Sequence, residues 1–227
     1  MQIRGWFLLF LFLAATAPAQ ETPPKPAWTR EVVGALNLTQ VNFSNWTQGG
    51  ENAVSWQIIL TGKLEYQRHA VKWTSSGKFS FGKTKLGKSD FRKSVDEIRL
   101  ESVLNYRLNP YINPYLALTA ITQFTAGFNY TDSGREKISD FLDPGYFTQS
   151  LGFGYEPIKE MKTRLGLALK ETITRNFPAP YADDPATERV EKTRTEIGME
   201  SATELAAKLS SNTQLSSKLE MFSNLKS

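Results

Sequence analysis

The chain has no cysteine and only one histidine, His69, among its 227 residues. Without cysteine it can have no disulfide framework, no thiolate metal site and no N-terminal cysteine for a lipid anchor. One histidine leaves few ways to build the base that most hydrolases place beside a nucleophile or a water. We therefore expect a protein that is not an enzyme and that binds no cofactor or metal.

Clustered charge and long apolar runs are also absent. The formal net charge is +4, and the basic residues are scattered, whereas a nucleic-acid surface needs them gathered on one face. Nucleic acid is therefore not an expected partner. Beyond residue 19 no apolar stretch approaches the roughly 18 residues of a membrane helix. A transmembrane barrel stays possible, because its strands bury only alternate residues in lipid.

The first residues have the pattern of an export signal. Arg4 precedes an apolar run from Trp6 to Ala15, and the small residues Ala17 and Ala19 suit a cleavage site. We expect a signal peptide at 1–19, a proline-rich periplasmic lead-in at 20–28, and a single domain from 29 to 227.

Apolar and polar residues alternate along most of that domain, which is typical of strands with one polar face. In the segment 53–68, one parity carries Val54, Trp56, Ile58, Leu60, Gly62, Leu64 and Tyr66, and the other carries Ser55, Gln57, Ile59, Thr61, Lys63, Glu65 and Gln67. The pattern predicts about nine strands, at 29–43, 53–68, 71–81, 97–108, 116–128, 150–155, 165–170, 196–209 and 215–221.

The predicted links alternate in length. Those at 44–52, 83–93, 130–147 and 176–192 are long, and those at 67–70, 109–114, 156–160 and 210–213 are short. Outer-membrane barrels have short periplasmic turns and long external loops. Because the first link is long, we expect a periplasmic N-terminus and extracellular long loops, with His69 in a periplasmic turn.

The predicted fold class is all-β, an antiparallel transmembrane up-and-down β-barrel. Bacterial single-chain barrels have an even number of strands, whereas about nine are present here. We therefore expect a complete barrel of ten or twelve strands whose C-terminal strands are missing, so that the barrel domain at 29–227 is truncated.

The polar parity carries charges of both signs, which we expect to face the lumen. The candidate lumen charge network consists of Lys63, Glu65, Arg99, Glu101, Arg194, Glu196, Glu200 and Glu204. Opposite charges across a narrow bore would pair, since an unpaired charge there is costly. These residues predict a narrow or largely plugged barrel; the alternative is a wide lumen in which they only hold water.

The first long loop is a candidate external cap. Gly49 and Gly50 suit a tight turn, and Trp46 could fold back over the rim. An ordinary hairpin turn explains the same residues. The loop carboxylates Asp140, Asp143, Asp183 and Asp184, together with Asp132, are too dispersed for a Ca²⁺ site and fit turn chemistry.

Residues 37–56 carry the opening Asn-Leu-Thr-Gln and the loop Phe-Ser-Asn-Trp-Thr-Gln-Gly-Gly at 43–50. This stretch resembles the start of an uncharacterised family of bacterial outer-membrane barrels, a domain of unknown function. The likeness extends from about Trp28 over most of the remaining chain, although only the first loop is specific. It implies the barrel fold and a longer C-terminus, and it implies no activity.

The sequence thus predicts a non-enzymatic barrel of the bacterial outer membrane, serving as a small-solute channel or as a structural or ligand-binding envelope protein. Its expected partners are outer-membrane lipid, the outer-membrane assembly machinery and a small solute. Two alternatives stay open: an outer-membrane hydrolase or acyltransferase, and a soluble periplasmic β-barrel. In the soluble barrel the apolar parity would have to point inward.

Overall fold

The computed structural model describes residues 27–43, 50–131 and 134–225. The predicted signal peptide lies outside these residues. Every regular element described is a strand: β1 (Trp28–Val41), β2 (Ala53–Arg68), β3 (Val71–Leu86), β4 (Arg92–Tyr106), β5 (Ile112–Thr122), β6 (Gly127–Thr131), β7 (Gly134–Ser139), β8 (Gly145–Ile158), β9 (Met161–Ile173), β10 (Thr193–Lys208) and β11 (Gln214–Asn224). The described residues contain no helix that could cross a membrane.

Nine of the strands form one antiparallel sheet in the order β1-β2-β3-β4-β5-β8-β9-β10-β11. Each of the nine predicted segments overlaps one strand of this sheet. Sequence neighbours pair throughout, apart from the insertion of a separate hairpin, β6–β7, between β5 and β8. The all-β, antiparallel, up-and-down part of the prediction is therefore confirmed.

The links define two ends of the sheet. We call the end with links 69–70, 107–111, 159–160 and 209–213 the turn end, and the opposite end, with links 42–52, 87–91, 123–144 and 174–192, the loop end. The expected long link at 83–93 is wrong, because β3 continues to Leu86 and β4 starts at Arg92. Links 87–91 and 107–111 are equally short, so loop length separates the two ends at only three of the four positions.

The fifth predicted strand was too long. It was expected to include Phe124 and Phe128, but β5 ends at Thr122 and Phe128 lies in the hairpin. The Asp96 carboxylate of β4 accepts hydrogen bonds from the backbone N–H groups of Phe124 (2.7 Å) and Thr125 (3.0 Å). These bonds to a charged acceptor draw the chain away from the β4–β5 ladder.

The sheet is curled into a half-barrel. Side chains of β4 contact side chains of β11 at 2.6–2.9 Å, although four strands separate these two in the sheet. Such contacts require a concave face on which β4 and β11 approach each other. Within the described residues β1 and β11 each pair on one side only, so the sheet has two open edges.

The polar parity lines the concave face, and the apolar parity covers the convex face. Buried apolar residues are few in the described chain: Tyr115, Ala117, Ala168, Ala182 and Ala202. Large apolar residues on the convex face are exposed, with Leu36 at 61%, Leu151 at 64% and Leu167 at 62%. The apolar parity therefore points outward, which is the reverse of what the soluble-barrel alternative requires.

Aromatic side chains form two clusters on the convex side. At the turn end, the ring centroids of Trp28 lie 4.8 Å from Tyr66 and 5.9 Å from Trp73. At the loop end, contacts of 5.5–6.2 Å join a second cluster, whose members are Trp56, Phe79, Phe81 and Phe124. The two clusters bracket the convex stretch of β2 and β3.

Candidate functional site

The eight predicted lumen residues all lie on the concave face. Lys63 and Glu65 are on β2, Arg99 and Glu101 on β4, and the other four on β10: Arg194, Glu196, Glu200 and Glu204. The strand period of two brings each set to one face, and the curl brings the three strands towards one another. The closest ion pairs on this face, however, also involve charged residues of β9 and β11.

Two close ion pairs cross the concave face between β4 and β11. Arg99 Nη2 donates to both carboxylate oxygens of Glu220, at 2.7 and 2.6 Å. Two residues along β4, Glu101 Oε2 accepts from Lys218 Nζ at 2.9 Å. The signs are reversed between the two pairs, and Lys218 also lies 2.9 Å from Glu220.

Arg164 of β9 completes this network. Its Nη2 lies 2.5 Å from Glu101 Oε1 and 3.2 Å from Glu200 Oε1. We name the six residues the clasp: Arg99, Glu101, Arg164, Glu200, Lys218 and Glu220. It contains three cations and three carboxylates and is therefore neutral. The Arg164 and Glu101 side chains are only 13% and 9% exposed. Each charge therefore needs the other as a partner, because an unpaired buried charge is costly.

Glycines of β9 and β10 leave room for large side chains that pack beside the clasp. Tyr115 of β5 is 2% exposed, and its hydroxyl lies over Gly166, where an added Cβ would stand 2.5 Å from it. The Arg164 guanidinium lies 5.8 Å from the centre of the Tyr115 ring. In the same way the Phe222 ring covers Gly198. Large side chains laid over strand glycines of the concave face fill space between clasp and sheet.

The remaining predicted residues form smaller pairs. Lys63 and Lys72 share Glu65, at 3.4 and 3.6 Å, and Arg194 contacts Glu196 at 3.2 Å. Two further pairs are Lys78–Glu97 at 3.0 Å and Lys170–Glu196 at 3.9 Å. Glu204 lies 3.8 Å from Lys218 and is half exposed. The expected network is thus split between the clasp and separate local pairs.

Sequence reasoning did not include Arg164, Lys218 and Glu220 in the predicted network. A signal was present for each. Arg164 has the parity of Gly166 and Ala168, while Lys218 and Glu220 alternate with apolar Leu215, Leu219 and Met221. Their partners on β4 lie 63–121 residues away along the chain, and periodicity cannot identify partners at that separation.

Two adjoining cavities lie on the turn-end side of the clasp. The larger, about 610 Å³, has this charged lining: Lys63, Glu65, Lys72, Glu101, Glu156, Lys162, Arg164, Glu204 and Lys218. The second, about 440 Å³, reaches the turns at His69 and Arg107. Both are lined by Lys72, Asn105, Asn113 and Glu156, so we treat them together as the inner chamber.

The loop end is held together by carboxylates. Asp143 is 3% exposed and accepts hydrogen bonds from the backbone N–H groups of Arg175 (2.8 Å) and Asn176 (2.7 Å), which ties link 123–144 to link 174–192. Asp140 accepts a hydrogen bond from Lys137, and this bond lowers the pKa of Asp140. Both carboxylates belong to the loop structure.

Other candidate residues lie apart from the clasp. The Asp183 and Asp184 carboxylates accept backbone N–H groups of Glu191 and Ala186, as turn residues do. His69 occupies the β2–β3 turn with φ of 52°. Within residues 27–43, 50–131 and 134–225, no group of three or more His, Cys, Asp or Glu could hold a metal ion.

Only part of the candidate cap falls within the described residues. Trp46 and Gly49 lie outside them. Gly50 packs against the Phe43 ring, which an added Cβ would approach to 3.0 Å. Asn52 Oδ1 accepts the backbone N–H of Phe43 at 2.7 Å, as expected of a loop asparagine. These contacts bring the two ends of the first loop together.

A family model described as a protein of unknown function (DUF3078) matches residues 38–128. The match confirms the similarity to a family of unknown function, and it covers less than half of the chain, from β1 to β6. The matched stretch is therefore shorter than predicted from the sequence, where the likeness was expected to extend from about Trp28 over most of the remaining chain. No curated protein and no solved structure gave a significant match.

Proposed function

We propose that this chain is a non-enzymatic β-barrel protein of the bacterial outer membrane, with a narrow, largely blocked bore. In this proposal the turn end and the N-terminus face the periplasm, the loop end faces outward, and the signal at 1–19 directs export. The observation that carries it is a convex face whose middle is uncharged and largely apolar, opposite a concave face that holds the clasp and its neighbouring ion pairs.

The middle of the convex surface is uncharged, and the charged residues that share its parity, such as Arg30, Lys83 and Glu171, lie towards the strand ends. No charged residue occupies the convex positions of 54–66, 71–81, 98–106, 114–122, 147–155, 161–169, 195–207 and 215–223. A soluble protein rarely exposes a continuous apolar patch beyond a few hundred Å². A lipid environment accounts for such a face.

The dimensions of the convex face also suit a membrane. On β2, Trp56 of the loop-end cluster and Tyr66 of the turn-end cluster are ten residues apart. At about 3.3 Å per residue and a strand tilt near 40°, they are separated by roughly 25 Å along the barrel axis, the height of the apolar band of outer-membrane barrels. Aromatic girdles flank that band in such barrels.

Polar side chains of the convex face bond to one another. Trp73 Nε1 donates to Ser102 Oγ at 2.8 Å, and the Ser75 and Ser102 hydroxyls are 3.0 Å apart. The Thr163 and Thr203 hydroxyls are 2.8 Å apart. Hydrocarbon offers no hydrogen bonds, and an unsatisfied polar group is costly there. Internal pairing of this kind suits a lipid-facing surface.

The open edges of β1 and β11 would need further strands to pair with them in a membrane. An unpaired edge in lipid would leave a row of backbone N–H and C=O groups unsatisfied. Bacterial single-chain barrels also have an even number of strands. We propose a closed barrel of ten or twelve strands, in which strands beyond the nine of this sheet join the two edges.

The clasp is the reason to propose a blocked bore. It joins β4 to β9, β10 and β11 across the concave face, and its charges neutralise one another. An ion-selective channel usually has rings of one sign. The function proposed is an envelope protein that holds a ligand or passes a small solute slowly; its partners are outer-membrane lipid and the outer-membrane assembly machinery.

Localisation tests the proposal first. After cell fractionation the gene product should be in the outer membrane, starting at Gln20. A cysteine placed at Asp184 should react with a membrane-impermeant thiol reagent on intact cells, whereas one at Lys159 should not. Recovery in the soluble periplasmic fraction would contradict the membrane proposal, and reversed labelling would contradict the orientation.

Conductance tests the blocked bore. In planar bilayers the protein should give low or unstable currents. Replacing Arg99→Gln together with Glu220→Gln removes the Arg99–Glu220 pair, while Lys218, which loses Glu220, keeps Glu101 as its partner. This double variant should raise conductance. The matched pair Lys78→Gln with Glu97→Gln, outside the clasp, should not. Large steady currents from the unmutated protein would show an open porin instead.

A further inference from the structure

We propose that the inner chamber binds a small oxyanion, a carboxylate or a phosphate, which enters from the turn end. This inference rests on the proposed function, because the chamber becomes enclosed only when the barrel closes.

The chamber is closed at one end and accessible at the other. Glu101, Arg164 and Lys218 line its loop-end side, and all three belong to the clasp. At the opposite side its lining includes the turn residues His69 and Pro110. A solute therefore reaches the chamber past the short turns, and the clasp bars its way onward. The larger cavity alone, at about 610 Å³, is of the size that holds small ligands.

The charge of the chamber favours an anion. The clasp is neutral in itself, so the other charged lining residues decide the balance. Four are cations (Lys63, Lys72, Arg107 and Lys162) and three are carboxylates (Glu65, Glu156 and Glu204). One positive charge is left over. In a confined space an uncompensated charge is costly, and a bound anion would offset that cost.

Two lysines are placed to hold the anion. Lys72 of β3 and Lys162 of β9 line the same cavity from different walls. Within the described residues Lys162 Nζ has no carboxylate oxygen within 4.0 Å, and Lys72 shares Glu65 with Lys63 at distances above 3.3 Å. The amides of Asn105 and Asn113 line the cavity as well and offer neutral donors.

The Glu156 carboxylate opposes the binding of an anion in the chamber. It lines both cavities and has no cation within 4.0 Å among the described residues. A carboxylate there repels an oxyanion and weakens its binding. Removing that charge should therefore strengthen binding, which is a change in the direction that misfolding cannot imitate.

Equilibrium dialysis of the purified full-length protein, with inorganic phosphate and acetate as separate probes, tests the site. We expect saturable binding of at least one probe, and the pair shows which oxyanion is preferred. Lys72→Gln with Lys162→Gln should weaken binding about 10-fold or more, since two charge-assisted hydrogen bonds are lost. The matched control, Lys78→Gln with Lys88→Gln, removes the same charge outside the chamber and should leave binding unchanged.

Two more variants keep the test decisive if the double glutamine variant fails to fold. Lys72→Arg with Lys162→Arg should retain binding, and Glu156→Gln should tighten it. No saturable binding by folded wild-type protein, or an equal loss in the control pair, would overturn the inference. If that protein still resides in the outer membrane, the proposed function stands and only the oxyanion site fails.

The side of entry has its own measurement. The chain lacks cysteine, so a single Thr74→Cys places one thiol in the chamber. A charged, impermeant thiol reagent should reach it when the periplasm is opened and should not reach it from outside intact cells. Equal labelling from both sides would show that the clasp does not close the chamber.

Discussion

The convex and concave faces come from alternate residues of the same strands, yet they are organised by different interactions. On the convex face, side chains such as Leu60 and Leu167 stay about half exposed or more and carry no charge. On the concave face, charged side chains contact strands far away in the sheet. One face is therefore suited to a uniform apolar surrounding, while the other depends on specific partners.

This difference predicts how each face tolerates change. The convex face should be insensitive to which apolar residue it carries and intolerant of charge. The concave face should tolerate polar changes in general and be sensitive at the few residues that have fixed partners.

The largest effect is expected at Glu101. Glu101→Ala leaves Arg164, a nearly buried cation, without its shortest contact, and breaking a buried pair costs about 3–5 kcal/mol. The free energy of unfolding in urea, measured with the protein in lipid vesicles, gives the value. Glu97→Ala breaks the more exposed pair with Lys78 and should cost below about 1 kcal/mol. Equal losses would mean that the clasp is no different from a surface pair.

A charge on the convex face comes next. Leu60→Arg, midway between the two aromatic clusters, should reduce the free energy of unfolding by about 2–4 kcal/mol, because it places a charge near the bilayer midplane. Its neighbour Thr61 faces the other way, and Thr61→Arg should cost less. The same contrast is expected for Leu118 and Thr119. Similar costs for both parities would show that the convex face does not contact lipid.

Adding one methyl group at a glycine of each face tests how tightly that face is packed. An added Cβ at Gly166 would meet the Tyr115 hydroxyl and the Leu151 carbonyl, so Gly166→Ala should cost about 1–3 kcal/mol by overpacking. At Gly62, on the convex face, a Cβ meets nothing within 4 Å. Gly62→Ala should be neutral or stabilise by about 0.4–1 kcal/mol. Urea unfolding of the two variants side by side checks the contrast, and a reversed order would refute it.

The smallest effect concerns a hydroxyl pair on the convex face. Thr203→Val removes the partner of Thr163, and side-chain hydrogen bonds in membranes contribute about 0.6 kcal/mol on average. The double variant with Thr163→Val should recover most of this loss, because no hydroxyl is then left unpaired. If the single variant is as stable as the wild type, the hydroxyls are bonding to water and the surface is not in lipid.

Much of the fold could be predicted from sequence because its signal is local. Alternation at positions such as Ile58, Leu60 and Leu64 identifies both a strand and its outward face, and short links make consecutive strands pair. The fifth strand was misjudged for a nonlocal reason. Its alternation of apolar and polar residues continues to Phe128. The strand ends earlier, because the backbone N–H groups of Phe124 and Thr125 donate hydrogen bonds to the Asp96 carboxylate of the preceding strand.

The sequence by itself determined which residues share a face, since a strand turns every second side chain the same way. It therefore placed Glu101 and Glu200 on the charged face. Only the tertiary structure decided that Arg164 joins them and that Lys218 closes the clasp, because those pairings depend on how tightly the sheet curls. Curl is a property of nine strands together, and it brings together side chains that are far apart in sequence.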